Sequence, residues 1–109
     1  MTSTNPQIIT NQTYLDPDIV AAKRAACDYS VQISPAFEID GVEYAVVLDG
    51  HHSLAAALSA NAEPRWTTLN VREHDALVYL EEADGGLKLL DYLATSDDWR
   101  DALTGQLVF

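Results

Sequence analysis

Val46-Val47-Leu48-Asp49-Gly50-His51-His52-Ser53-Leu54-Ala55-Ala56-Ala57 is the stretch on which the reading of the fold turns. An apolar, β-branched run reaches an Asp-Gly pair, and an Ala-rich segment of high helix propensity begins at once. The pattern predicts a strand, a tight turn and a helix in direct succession. The first amides of a helix have no intrahelical partners, and that end carries roughly half a positive charge. Such a junction suits an anion, phosphate above all. Gly50 would let the backbone come close, Ser53 would offer a hydroxyl, and His51 and His52 would supply groups that titrate near neutrality. Neighbouring residues on a helix point in different directions, so at most one imidazole is expected to face a ligand.

Outward from this stretch, the N-terminal side reads as strand and helix. Residues 1–15 are polar and extended, with Ile8 and Ile9 as a short strand or packing anchor. Asp16-Pro17 predicts a helix start, Asp16 as cap and Pro17 in the first turn. That helix is expected to run to about Tyr29, with Ile19, Ala22 and Ala26 on its apolar face and Cys27 in the core. Val31 to Ile39 predicts an edge strand because Pro35 lies inside it. Asp40-Gly41 predicts a hairpin turn into a mostly buried strand, Val42 to Leu48.

On the C-terminal side, Trp66 to Val71 predicts a third strand. His74 to Glu82 reads as helix, Asp84-Gly85-Gly86 as a break, and Leu87 to Leu93 as helix again. Ser96 is expected to cap a last short helix through Trp99 and Leu103, with Gly105 ending it and Leu107 to Phe109 docking as an apolar tail. The expected architecture is α+β: one domain over residues 1–109, a mixed sheet with a β-hairpin, and packed helices.

Composition narrows the function. Leu, Ile, Val and Phe supply 28 of 109 residues, enough for a core. The longest apolar run, Leu54 to Leu58, is far shorter than the ~20 residues of a membrane span. No secretion signal is expected, and one cysteine cannot make an internal disulfide, which points to the cytoplasm. Net charge is −11, and residues 73–109 carry nine acids against two bases. Phosphate-binding surfaces of nucleic-acid proteins are cationic, so direct binding to nucleic acid or to an anionic membrane is not expected. A basic protein surface is a compatible partner for the acidic C-terminal third. His74, between Glu73 and Asp75, reads as a surface turn. With two adjacent histidines and one distant, no metal site is expected. Trp66, Trp99, Tyr79 and Tyr92 read as core or rim.

Asp49-Gly50-His51-His52, followed by an Ala-rich helix after a hairpin strand, resembles the Asp-Gly-His-His-Arg signature of the ParB/sulfiredoxin-like superfamily, in particular its small ParB-like nuclease-type proteins. The order of elements from about residue 16 to residue 71, half of the chain, is similar as well. The resemblance implies a loop that binds a nucleotide phosphate. Family members include CTP-binding partition proteins, ATP-using sulfinic-acid reductases, a free-serine kinase and nuclease-like proteins. It therefore implies Gly50, His51, His52, Ser53 and Leu54 as phosphate ligands and His51, His52 and Asp49 as catalytic groups. ATP, ADP or CTP with magnesium would be the cofactor of a phosphotransferase or nucleotide hydrolase. Ser53 stands where the family has Arg and cannot replace a bidentate guanidinium. Arg65 and Arg72 are the nearby cations, and Glu38, Glu43 and Asp49 are candidates for a second acid. Two alternatives follow: a non-catalytic acidic module that blocks a basic partner, as phage-type nucleic-acid mimics do, and a ParB-like nuclease.

Overall fold

Residues Val42–Asp49 form an eight-residue strand whose side chains alternate between two separate cores. The computed structural model describes residues 6–12, 14–94 and 98–109. In chain order the elements are β1 (Gln7–Thr10), α1 (Pro17–Ala25), β2 (Ser30–Ile33), β3 (Phe37–Ile39), β4 (Val42–Asp49), α2 (His51–Ser59), β5 (Arg65–Thr68), a 3-10 helix (Asp75–Glu81), α3 (Gly85–Leu93) and β6 (Arg100–Asp101). The strands make one mixed sheet in the order β5-β2-β4-β1-β6, with β3 also paired to β4. The fold is thus α+β, as expected. Among the described residues no helix is long and apolar enough to cross a membrane.

The period-two geometry of a strand explains the two cores. Ala45 and Val47 of β4 join Val31, Ile33, Leu54 and Ala102 on the face covered by α2. Tyr44 and Val46 point the other way and join Ile9, Phe37, Leu77 and Leu89 beneath the 3-10 helix and α3. Helices on both faces leave the middle of β4 buried along its whole width, so its sequence reads as a continuous apolar run. α1 packs on α2 rather than on the sheet, and none of its residues is buried.

Several expectations held. β1 forms at Ile8 and Ile9, parallel to β4. Asp16 caps α1 by accepting the Asp18 amide, 2.9 Å. Asp40 and Gly41 both take positive φ, 52° and 81°, which a two-residue hairpin turn with right-handed twist requires. The C-terminal tail docks through backbone bonds between Trp99 and Val108–Phe109.

Other elements differ. The predicted edge strand is two strands, and β2 is interior, between β4 and β5. Pro35 interrupts the ladder, but Ser34 repairs it: its hydroxyl accepts the Val46 amide and donates to the Pro35 carbonyl. α1 stops at Ala25 instead of continuing to Tyr29. Its end is a Schellman closure, with the Cys27 amide on the Arg24 carbonyl and the Asp28 amide on the Lys23 carbonyl. Cys27 occupies the left-handed position, φ 52°, and is exposed rather than in the core. Ile19, expected on the apolar face, is 42% exposed.

The C-terminal third departs most. The helix expected through Trp99 and Leu103 is replaced, in its described part, by β6 and a turn; its Ser96 cap lies outside the described residues. The Asp101 carboxylate accepts the Leu103 and Thr104 amides and closes that turn, while β6 pairs with the otherwise free edge of β1. Gly85 and Gly86, expected to break the chain, begin α3. A Cβ at Gly85 would meet the Tyr79 carbonyl oxygen and the Leu80 Cα, the latter at 2.7 Å. The glycine is there for close approach of two helices, not for flexibility. Gly85→Ala is expected to destabilise the protein by about 1–3 kcal/mol, the usual cost of overpacking a rigid contact, measured as a lower midpoint in thermal or urea unfolding. An unchanged midpoint would mean that the two helices are free to separate.

Candidate functional site

The Asp-Gly turn does what its sequence implies. β4 ends at Asp49, Gly50 takes φ 94°, and α2 starts at His51. Gly50 is obligatory for a second reason: a Cβ there would lie 2.6 Å from the Ser30 carbonyl oxygen and 3.0 Å from Val31 Cα. The first turn of α2 is therefore pressed onto β2. The Asp49 carboxylate accepts the Gly50 amide at 2.8 Å, while no side chain caps the turn that follows. The amides of His51, His52 and Ser53 are left for the cleft, as the first residues of a helix require.

That cleft has a volume of about 330 Å³ and is lined by Gln12, Lys23, Leu48 and residues 49–53. Ser53 is only 2% exposed, yet lines the cleft, and its hydroxyl has no hydrogen-bond partner among the described residues. Leu54 turns away into the core beside Val31 and Ala45. Its amide closes the first helical bond, to the Gly50 carbonyl at 2.8 Å, so of the five loop residues Leu54 offers the cleft nothing polar.

The two imidazoles diverge, as adjacent helical residues must. His51 turns toward β1, where Nε2 and the Thr10 hydroxyl are 2.7 Å apart. His52 turns toward α1, and its Nε2 accepts the Asp16 amide at 3.1 Å, which puts its ring proton on Nδ1. Each histidine thus ties α2 to a different neighbour. Burial pushes the His51 imidazole below its ordinary value of 6.5; the Asp49 carboxylate opposes this and His52 adds to it. His51 is therefore neutral at pH 7, a proton acceptor rather than a fixed cation.

Lys23 and Gln12 are the polar cleft residues that sequence reasoning missed, and Lys23 is the charged one. It lies 27 positions before Gly50 and reaches the cleft only because α1 packs on α2. Its ammonium pairs with Asp28 at 2.9 Å, and this contact, with the Ser30 amide, holds the Asp28 carboxyl below its usual range. Both partners are more than a third exposed. Such pairs contribute only about 0–1 kcal/mol, so the ammonium is available to a ligand.

The remaining candidates lie elsewhere. Glu38 and Glu43 face each other across the β3–β4 hairpin. Glu43 is six residues along β4 from Asp49, roughly 20 Å in extended chain, so Asp49 is the candidate acid at the cleft. Neither Arg65 nor Arg72 lines it; Arg65 donates to the Cys27 carbonyl instead. His74 caps the 3-10 helix, its Nδ1 accepting the Ala76 amide. Among the described residues no three His, Cys, Asp or Glu side chains are grouped to hold a metal ion.

The depressed His51 value fixes a sign. Below pH 6.5 the unfolded chain takes up this proton more readily than the folded one. The associated stability is complete above pH 6.5 and is lost as pH falls through the lower folded value. Ring-proton NMR should show His51 titrating below 6.5, with the unfolding midpoint falling over the same range. His52→Ala should release the Asp16 amide to exchange and cost about 1 kcal/mol. Unaltered exchange at Asp16 would deny the tether. In comparisons with known proteins, no family model, no curated protein and no solved structure matches this chain.

Proposed function

We propose that the cleft at the start of α2 binds the phosphate group of a small ligand. The observation that carries this reading is Ser53: a side chain almost wholly buried, unpartnered, and placed beside three uncapped amides. No buried side-chain polar atom among the described residues lacks a partner, so the Ser53 hydroxyl opens to the cleft, where a phosphate oxygen would bond hydroxyl and amides together. Lys23 supplies the cation that the ParB/sulfiredoxin-like signature places at the Ser53 position, and it comes from a different helix. The resemblance makes a nucleotide the first ligand to test. Among the described residues Asp49 is the one carboxylate lining the cleft, suited to a magnesium ion carried in on the phosphates, since magnesium commonly takes one or two protein carboxylates and phosphate oxygens. His51, neutral and hydrogen-bonded to Thr10, is the group that would accept a proton if the bound phosphate reacts. His52 is occupied with Asp16 and serves position.

Calorimetry with inorganic phosphate and with ATP, ADP and CTP plus magnesium tests this. Binding is expected, with Lys23→Gln weakening it up to about fivefold, the equivalent of about 1 kcal/mol. Absence of heat and of any thermal shift at millimolar ligand would remove the reading.

A second reading rests on the surface. Among the described residues the ion pairs are Lys23–Asp28, Lys88–Glu82 and Arg100–Asp98, which leaves most carboxylates of the C-terminal third without a cation beside them. Such a surface fits a basic protein partner. Capture of that partner should weaken with salt and on neutralising Asp91, Asp97, Asp98 and Asp101 together; capture indifferent to both would exclude it.

A further inference from the structure

The cleft does not end at His51. A second cavity of about 130 Å³ adjoins it, sharing Gln12 and His51, with Leu15, Leu54, Ala55 and Leu58 in its wall. A third, of about 470 Å³, continues between α1 and α2, sharing Leu15 and Ala55 with the second and adding Val20 and Ala21. The polar end holds amides, a hydroxyl and an ammonium. The continuation is mostly apolar, with Arg24 and Ser59 also in its lining. Beyond His51 at its entrance it has no aromatic ring on which a base could stack, and its polar side chains are Thr10, Gln12, Arg24 and Ser59. Leu15 and Leu58 are 42% and 44% exposed on its rim, apolar surface left to water on a chain of net charge −11. Contiguous apolar surface of this kind marks ligand grooves.

We infer that the cleft and the groove together hold one amphiphile, a phosphate monoester of an aliphatic alcohol. This rests on the phosphate reading above and adds the ligand's body to it. The phosphate sits against the amides of His51 to Ser53 with Lys23. The chain passes His51, enters between Leu15 and Leu54, and runs along Ala55 and Leu58 between the two helices. His51 stands at the boundary, its polar edge tied to Thr10 and its ring facing both compartments. A single anionic head matches Lys23, the one cation lining the cleft among the described residues, whereas the strongly negative surface repels an anionic bilayer. The ligand is therefore a dispersed molecule rather than a membrane.

The test is calorimetry on the full chain with inorganic phosphate, butyl, hexyl and octyl phosphate, octanol, and ATP with magnesium, all below micelle formation. Affinity is expected to rise roughly two- to fourfold per methylene over this series, the range that burial of each group supports. Octanol is expected to bind far more weakly than octyl phosphate. Leu58→Glu, at an exposed position, and Ala55→Trp, which narrows the passage, are each expected to flatten the rise with chain length. Equal binding of inorganic and octyl phosphate overturns the inference and leaves the phosphate reading intact. So does tighter binding of ATP than of octyl phosphate, which selects a nucleotide. Octanol matching octyl phosphate overturns it as well, as does a slope undiminished in both variants. If no phosphate compound binds, the cleft reading falls and the inference with it.

Discussion

The contact of Gly50 with the backbone of Ser30 and Val31 governs the arrangement of this protein. No side chain fits at 2.6 Å from a carbonyl oxygen. Because the chain can pass there, β4 turns directly into α2, and α2 lies across β2 with Leu54 driven into the core between Val31 and Ala45. His51 and His52 then fall on opposite sides of the helix start. One reaches Thr10 on β1 and the other the backbone of Asp16, so the position of α1 follows from the same turn. Lys23 enters the cleft as the last step of this sequence. A glycine four residues into the helix, or a longer turn, would give none of these contacts.

Much of this was legible in the sequence where the signal is local. Asp16-Pro17, Asp40-Gly41 and Asp49-Gly50 each specify a cap or a turn from two residues, and each appears where those residues put it. What could not be read depends on partners distant in the chain. Pro35 argued for an edge strand, but Ser34 bonds to Val46 and β5 arrives from 30 residues downstream to cover β2. Gly85 looks like a breaker until Tyr79 and Leu80 are seen against it. Cys27 looks apolar and helical, yet α1 ends at Ala25, two residues before the position where a Schellman closure needs a left-handed backbone. Alanine-rich sequence has no marker for that stop.

The cleft was half legible. Its loop followed from Asp49 to Ser53, including the divergence of the two imidazoles. Lys23 did not, because its role depends on the packing of α1 against α2. Nor did the structural duties of the histidines: a residue type suited to proton transfer is equally suited to accept one backbone amide, and only the position of Asp16 distinguishes them. Ser53 carries a similar lesson. Read against the arginine of the signature it resembles, it looks like a loss, whereas in the fold its hydroxyl lines the cleft at the start of α2, and Lys23 of α1 lines the same cleft.

The pairing of β1 with β6 joins Ile9 to Asp101 and Thr10 to Arg100, and a side-chain bond from Gln7 to Asp101 spans 94 residues. β1 also lies parallel to β4, so the first strand of the chain waits for residues 44–46 on one edge and for residues 100–101 on the other. Closing loops of this length carries an entropic cost that must be met before the contacts form, and topologies of high contact order assemble slowly. Until Arg100 and Asp101 pair with β1, the sheet stands open on that side, beside Ile9. Residues 100–101 thus complete the sheet although they do not line the cleft.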